Sequence, residues 1–237
     1  MTSLTNERIL VLGASSGIGR ETAVLFAQAG AKVYASARRT ERLEELAAQY
    51  PNIVCGAADA TKRESMEACV ADAVAKLGGV DILVYSTGTN TPERALTRLT
   101  REIWDELIEV NLNSAYTVTA ALLPAMREAG KGLLIYVSSI SGKYGDVSGA
   151  AYQASKRGML GLAAAVRAEE RQHGIRTTVV CPGLINSEFM QHRPVKPDEA
   201  TLNKALEPVD IAELIFGIAQ LHPRACVPDV EIWPTVL

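Results

Sequence analysis

The run Tyr152-Gln153-Ala154-Ser155-Lys156 sets a phenol and an ammonium four residues apart. On a helix they share one face and look into one site. A free tyrosine titrates near 10 and is a poor base at neutral pH. An ammonium at about 4 Å, with an effective dielectric of about 20, favours the phenolate by about 4 kcal/mol, an upper bound of about 3 pKa units. A phenol tuned in this way can give or take a proton as a general acid–base. Tyr-x-x-x-Lys alone also fits an ordinary amphipathic helix, so its context matters. Ser138-Ser139 ends an apolar run thirteen residues before Tyr152. A hydroxyl there can hydrogen-bond a carbonyl oxygen; the plainer reading is a serine capping a turn.

A second constellation suits phosphate. Gly13-Ala14-Ser15-Ser16-Gly17-Ile18-Gly19 follows the first apolar run and opens the first helical pattern. Glycines let backbone approach a diphosphate, and a helix N-terminus offers free N–H groups and the positive end of a dipole. The spacing is not the usual GxGxxG, and a glycine-rich turn is the plainer alternative. The second apolar run ends in Ala37-Arg38-Arg39. A site for NAD would put a carboxylate here for the ribose hydroxyls. Two arginines instead suit a 2′-phosphate, which a guanidinium can grip through two hydrogen bonds. NADP(H) is therefore the expected cofactor, with Arg38 its main determinant; the alternative for the arginines is a solvated helix start.

These residues need a frame. Short apolar runs fall at 8–12, 32–37, 52–57, 81–86, 133–138 and 176–181, with a weaker one at 229–233. Several lack polar alternation, as in strands covered on both faces. Helical patterns lie between them at 18–28, 39–49, 62–77, 101–128, 152–173 and 210–220, with Gly30, Gly78, Gly130 and Gly174 where helices would stop. Such alternation predicts an α/β fold, a parallel sheet wound on both sides. With 237 residues, one large domain over 1–237 fits better than two small ones. The polar segment 186–207, punctuated by Pro194 and Pro197, reads as a lid that with Ile185 spans 185–207.

Composition narrows the partners. Apolar residues at 48% and charged residues at 22% are those of an ordinary soluble globular protein. A net charge of −3 gives no basic surface for nucleic acid. Cys55, Cys69, Cys181 and Cys226 lack CxxC spacing, and His173, His192 and His222 lie far apart, so no metal site is expected. Scattered thiols, no apolar signal core in residues 1–8 and no run of about 20 apolar residues lead to the expectation of a cytoplasmic protein off the membrane.

Taken together, these motifs resemble the classical short-chain dehydrogenase/reductase family, in order and spacing over nearly the whole chain. Gly13, Gly17 and Gly19 match its TGxxxGxG loop, with Leu12 in place of the threonine. Asp59, followed by Ala60, falls where the family's aspartate contacts adenine. Asn111 matches the asparagine that helps hold a proton-relay water. Ser139, Tyr152 and Lys156 match its catalytic serine, tyrosine and lysine. Pro182-Gly183 matches its PG motif; Ile185 and Ser187 match positions that bind the nicotinamide amide and the phosphate. One motif departs: Tyr85-Ser86-Thr87-Gly88 stands where the family has Asn-Asn-Ala-Gly, keeping only Gly88, so Ser86 or Thr87 would have to supply the missing amides' hydrogen bonds.

The resemblance implies a single-domain Rossmann fold with a seven-stranded parallel sheet, helices on both faces, and hydride transfer between NADP(H) and a carbonyl/alcohol pair. Tyr152 would protonate the substrate oxygen, Ser139 orient it, Lys156 hold the nicotinamide ribose and lower the tyrosine pKa, and Asn111 pass protons outward. The ending Val230-Glu231-Ile232-Trp233-Pro234-Thr235 looks like that of the family's 3-hydroxy acid and serine dehydrogenases. It favours a small or medium polar substrate; the alternative is a 3-oxoacyl thioester reductase. Arg193 and Lys196 in the lid suit a carboxylate or, more plainly, a solvated loop face. Gly158, Gly161 and Ala163-Ala164-Ala165, with the apolar helix around 115–122, imply a homodimer or homotetramer. A non-catalytic NADP(H) sensor is the rival of another class, and it would not need Asn111, Ser139, Tyr152 and Lys156 together.

Overall fold

A computed structural model describes residues 2–236. Seven strands form one sheet: β1 (Arg8–Leu12), β2 (Lys32–Ala37), β3 (Ile53–Ala57), β4 (Ile82–Tyr85), β5 (Gly132–Val137), β6 (Ile175–Pro182) and β7 (Asp229–Ile232). Their order is β3-β2-β1-β4-β5-β6-β7, and every neighbouring pair is parallel. The predicted strands are all present, with ends shifted by a residue or two.

Strand residues alternate between two cores, as the period of two requires. On one side Leu10, Leu12, Leu83, Tyr85, Leu134 and Tyr136 pack with α3 (Arg63–Leu77), α5 (Ser114–Ala129) and α6 (Ala150–Glu170). On the other, Ile9, Val11, Ile82, Val84, Leu133 and Ile135 pack with α1 (Gly17–Gln28), α2 (Thr40–Gln49) and α8 (Pro208–Ala219). Sheet order reverses between β1 and β4, which opens a crevice at the carboxyl ends of the strands.

The opposite ends are fastened by a carboxylate. Asp81, next to β4, accepts hydrogen bonds from Arg8 N (3.0 Å), Nε (2.8 Å) and Nη2 (2.7 Å) and pairs with Lys131 (2.9 Å). Burial alone would raise its pKa, but these partners hold it well below the usual carboxylate range. The starts of β1, β4 and β5 are thereby locked together.

Two expectations are corrected. The helix predicted over 101–128 is interrupted: α4 (Arg101–Ile108) passes through a π turn, Glu109–Asn113, into α5. In that turn the Val110 carbonyl accepts from the hydroxyls of Tyr85 (2.7 Å) and Ser114 (2.8 Å), bonds that hydropathy cannot signal. The helix predicted from Tyr152 starts earlier, at Ala150, after Gly149. Segment 185–207 carries a 3-10 turn (Glu188–His192) and the short α7 (Glu199–Leu202). It is pinched at its base, where Asn186 N donates to Leu206 O (2.8 Å) and Leu206 N to Leu184 O (3.0 Å). Among the described residues no helix is long and apolar enough to cross a membrane, and no group of His, Cys, Asp or Glu is arranged to hold a metal ion.

Candidate active site

The crevice brings together Asn111, Ser139, Tyr152 and Lys156. Ser139 leaves the end of β5 and caps a short 3-10 turn, accepting from Ser141 N at 3.1 Å. Tyr152 and Lys156 lie on α6 as their spacing predicts, and both are buried. The Lys156 ammonium sits 5.8 Å from the Tyr152 ring centre and donates to Val137 O at 2.9 Å. Helix α6 is held at the strand end because Ser138 Oγ donates to Lys156 O (2.9 Å) and a Cβ at Gly142 would lie 2.9 Å from that same oxygen. The Gly142 contact was missed in the sequence, where a glycine after a serine run reads only as loop.

Electrostatics modify one expectation. Burial pushes the Tyr152 phenol up to about 12, and the facing Ser139 hydroxyl pulls it partly back. Arg94 and Arg193 act further to lower it. Burial also pulls Lys156 down to about 8, so its charge is itself costly in this site. Between about pH 8 and the unfolded value near 10.4, the folded chain holds fewer protons at Lys156 than the unfolded chain. Stability should therefore rise with pH across that window, by at most about 3 kcal/mol. Denaturant midpoints at pH 8 and pH 10 check this, since the rise should shrink in Lys156→Met.

Asn111 lies in the π turn and is fully buried. Its Oδ1 accepts from Thr89 N (2.8 Å), and its Nδ2 donates to Thr89 O (3.0 Å) and Ser155 Oγ (3.0 Å). Its side chain thus ties the strand exit to α6, and Ser155 is a partner that the sequence reading passed over. The departing motif is absorbed differently from expectation. Tyr85 is fully buried and its hydroxyl reaches the π turn, while Ser86 contributes its backbone N–H to Leu12 O (3.0 Å). Gly88 is needed where it stands, since a Cβ would lie 3.3 Å from Lys156 Nζ and 3.4 Å from Asn111 Oδ1.

The glycine loop has the geometry of an anion cradle. Gly13 and Gly17 have φ of +85° and +55°. A Cβ on Gly19 would strike Gly13 O at 2.4 Å, whereas one on Gly17 would meet nothing nearer than Ser187 Cβ at 4.0 Å. The loop is tight below and open above Gly17, with Ser187 across the opening. A cavity of about 390 Å³ adjoins it, lined in part by Ser15, Ser16, Gly17, Arg42 and Glu188. Ile18 and Ile185 pack against the same core.

The two arginines divide. Arg39 donates to Ser15 Oγ (3.2 and 3.0 Å) and Ser16 Oγ (2.7 Å) and pairs with Glu188 (2.8 Å), which also pairs with Arg42 (2.7 Å). Glu188 was missed because its partners lie about 150 residues away in sequence. Arg38 is exposed and makes no ion pair within 4.0 Å among the described residues. Asp59 is held below the usual carboxylate range, first by hydrogen bonds from Thr61 (2.8 and 3.0 Å) and further by Arg38. Ala60 beside it is buried. Pro182 ends β6, and Gly183 N donates to Ile232 O (2.9 Å), so the PG step is fixed to the edge strand. Open space over Gly17, free N–H groups at the start of α1 and an uncommitted guanidinium fit a dinucleotide with an extra phosphate.

Residues 7–198 match the family model of the short chain dehydrogenases. The chain is 33% identical over 220 residues to the 3-oxoacyl-[acyl-carrier-protein] reductase of Thermotoga maritima, covering 89% of each. It is 34% identical over 244 residues to an uncharacterised oxidoreductase of Listeria monocytogenes, covering 98% of each. Among solved structures it resembles a closed serine dehydrogenase complexed with NADP+, with TM-score 0.86, 29% identity and coverage of 94% and 93%. It also resembles an alcohol dehydrogenase of Thermococcus sibiricus complexed with 5-hydroxy-NADP, with TM-score 0.88, 26% identity and coverage of 98% and 97%. The family model spans most of the chain and these proteins are matched over nearly their whole length, and this chain is an oxidoreductase that belongs to the short chain dehydrogenase family.

Proposed function

We propose that the protein interconverts a carbonyl and a secondary alcohol on a small or medium polar substrate, using NADP(H). The observation that carries this reading is the convergence of buried Tyr152 and Lys156 with Ser139 at the strand ends, facing an open glycine loop. When bound, the dinucleotide supplies or accepts the hydride. Ser139 hydrogen-bonds the substrate oxygen and fixes its position. Tyr152, protonated at neutral pH, delivers its proton to that oxygen as negative charge develops there, or accepts it in the reverse direction. Lys156 binds the ribose, and Asn111, held by its hydrogen bonds to Thr89, passes protons outward through water.

Gly13, Ser15, Ser16, Gly17, Ile18 and Gly19 would cradle the diphosphate, with Ser187 opposite. Arg38 and Arg39 would take the 2′-phosphate, Asp59 and Ala60 the adenine, and Gly88, Pro182, Gly183 and Ile185 the nicotinamide side. Removing a charged hydrogen-bond partner costs about 1.5–3 kcal/mol, about 10–100-fold in affinity. Arg38→Asp should weaken NADPH by that much and spare NADH, read by fluorescence titration with both; an unchanged preference would remove Arg38 from the role.

Segment 185–207 acts in this reading as the lid, and the single domain 1–237 works in the cytoplasm as a homodimer or homotetramer. Small exposed Gly161, Ala164 and Ala165 on α6 and exposed Tyr116 on α5 support pairing through those helices, whereas Gly158 is filled by the chain's own Leu112. NADPH oxidation against short 3-keto acids, cyclic and aryl ketones and 3-oxoacyl thioesters tests the proposal, with Tyr152→Phe as control. Preference for the thioesters would favour the alternative for which the Thermotoga maritima relative speaks. Tight NADPH binding without turnover on any compound would favour the sensor.

A further inference from the structure

Near Tyr152 stand two cations, Arg94 and Arg193, that act on its phenol and have no substrate contact in the activity proposed above. Arg94 is a half-buried side chain in the loop between β4 and α4. Its Nε donates to Thr91 O at 3.0 Å, and its Nη2 to the His192 carbonyl of the lid. Of five guanidinium N–H groups, about three remain uncommitted. No carboxylate lies within 4.0 Å of it among the described residues, although thirteen other pairs of that kind form.

The surroundings do not neutralise it. Arg193 is half-buried nearby and repels it; burial and this repulsion together hold Arg94 below the ordinary guanidinium value. Asp146 attracts it but is already engaged by Ser141 Oγ (2.6 Å) and Ser148 N (2.8 Å). The position is also built. Asn90 is buried and donates to Ser148 O (3.2 Å), which docks this loop on the start of α6. Gly149, at φ +96°, leaves room for it, since a Cβ there would lie 2.7 Å from Arg94 Cβ and 2.8 Å from Arg94 O. From His192, Phe189 lies 5.1 Å away between ring centres, and Phe189 stands 6.1 Å from Tyr152. Arg94 is thus packed against Gly149, at the start of the helix that carries Tyr152, and its charge acts on that phenol.

We propose that Arg94, assisted by Arg193, binds a carboxylate carried by the substrate itself, so that the protein acts on keto acids or hydroxy acids in preference to neutral esters or thioesters. This rests on the activity proposed above and names its substrate class. A guanidinium and a carboxylate meet through two parallel hydrogen bonds, which would fix the distance from the acid group to the carbonyl under attack. Burial and an uncompensated second cation both strengthen the attraction for an anion. A neutral thioester would leave the charge of Arg94 unanswered, which is a basis for discrimination.

The test compares 3-oxobutanoate with its methyl ester in the NADPH-loaded enzyme, for the wild type, Arg94→Gln and Arg94→Lys. The expected result is a wild-type preference for the acid. Arg94→Gln should lose about 10–100-fold in kcat/KM for the acid, mainly through KM, whereas the ester should share only the smaller loss in kcat that comes through the Tyr152 phenol. Arg94→Lys should restore part of the loss. Equal losses for both compounds would make Arg94 a clamp on the lid and overturn the inference, as would a wild type that prefers the ester. Butanoate binding to the NADPH-loaded protein, followed by calorimetry, is the independent arm. Binding lost in Arg94→Gln would sustain the anion site even if no carbonyl were reduced, in which case the proposed activity alone fails. No Arg94-dependent binding together with no preference for the acid overturns the site.

Discussion

Tyr152→Phe should lower kcat by about 1000-fold or more while the protein stays folded and binds NADPH as before. The size follows from what a positioned proton donor contributes, about 100- to 10,000-fold. The specificity follows from the packing. The Tyr152 ring belongs to a small cluster with Leu107 and Ala151, against which Ile103, Trp104 and Phe189 also pack. Phenylalanine keeps every one of those contacts. The lost hydroxyl has Ser139 as its neighbour, so the stability cost is that of a single hydrogen bond, about 1 kcal/mol. Steady-state rates, cofactor titration and thermal denaturation separate the three quantities. A variant that turns over within tenfold of wild type would take Tyr152 out of the chemistry.

Gly13→Ala should act on the fold and the cofactor together. At φ +85° an alanine pays about 1–2 kcal/mol for the left-handed backbone. Its Cβ would also lie 2.8 Å from Ser86 C and O and 2.9 Å from Thr87 N, all of them backbone atoms at the β4 exit. Overpacking of this kind adds about 1–3 kcal/mol. A total near 3 kcal/mol should be visible as a lower denaturation midpoint, with NADPH affinity falling at least tenfold because the loop moves. Gly30→Ala, at a similar φ of +82° but with its nearest contacts at 3.5 Å, serves as the comparison and should cost only the backbone part. Equal effects would mean that the closeness of Gly13 to β4 does not matter.

The parts of this molecule legible in the sequence are those with a period or a local spacing. Strands such as Arg8–Leu12 stand out because both faces are covered, and Tyr152 and Lys156 stand out because four residues make one helical turn. Gly13, Gly17 and Gly19 were readable because backbone geometry restricts the residue type. What was not legible depends on distant partners. Glu188 meets Arg39 across 149 positions, and Arg94 meets His192 across 98. Neither contact leaves a mark in local composition. The balance at Tyr152 was misjudged for the same reason. Spacing indicated a nearby ammonium, but burial, a property of the whole fold, outweighs it and also discharges part of Lys156.

The π turn at Glu109–Asn113 has a consequence for how α4 and α5 divide their work. One residue inserted into an α-helix advances the angular phase of everything after it by about 100°. A stripe that begins on one side of α4 would therefore emerge on a different side in α5. Accordingly Ile103, Trp104 and Leu107 point into the cluster around Tyr152, whereas Ala115, Val118, Leu122 and Met126 point into the core over the sheet. The rod is continuous in backbone but carries two differently phased stripes, and Asn111 sits where the phase changes. Removing one residue from the turn would rotate one of its halves by about 100° out of the surface it now covers.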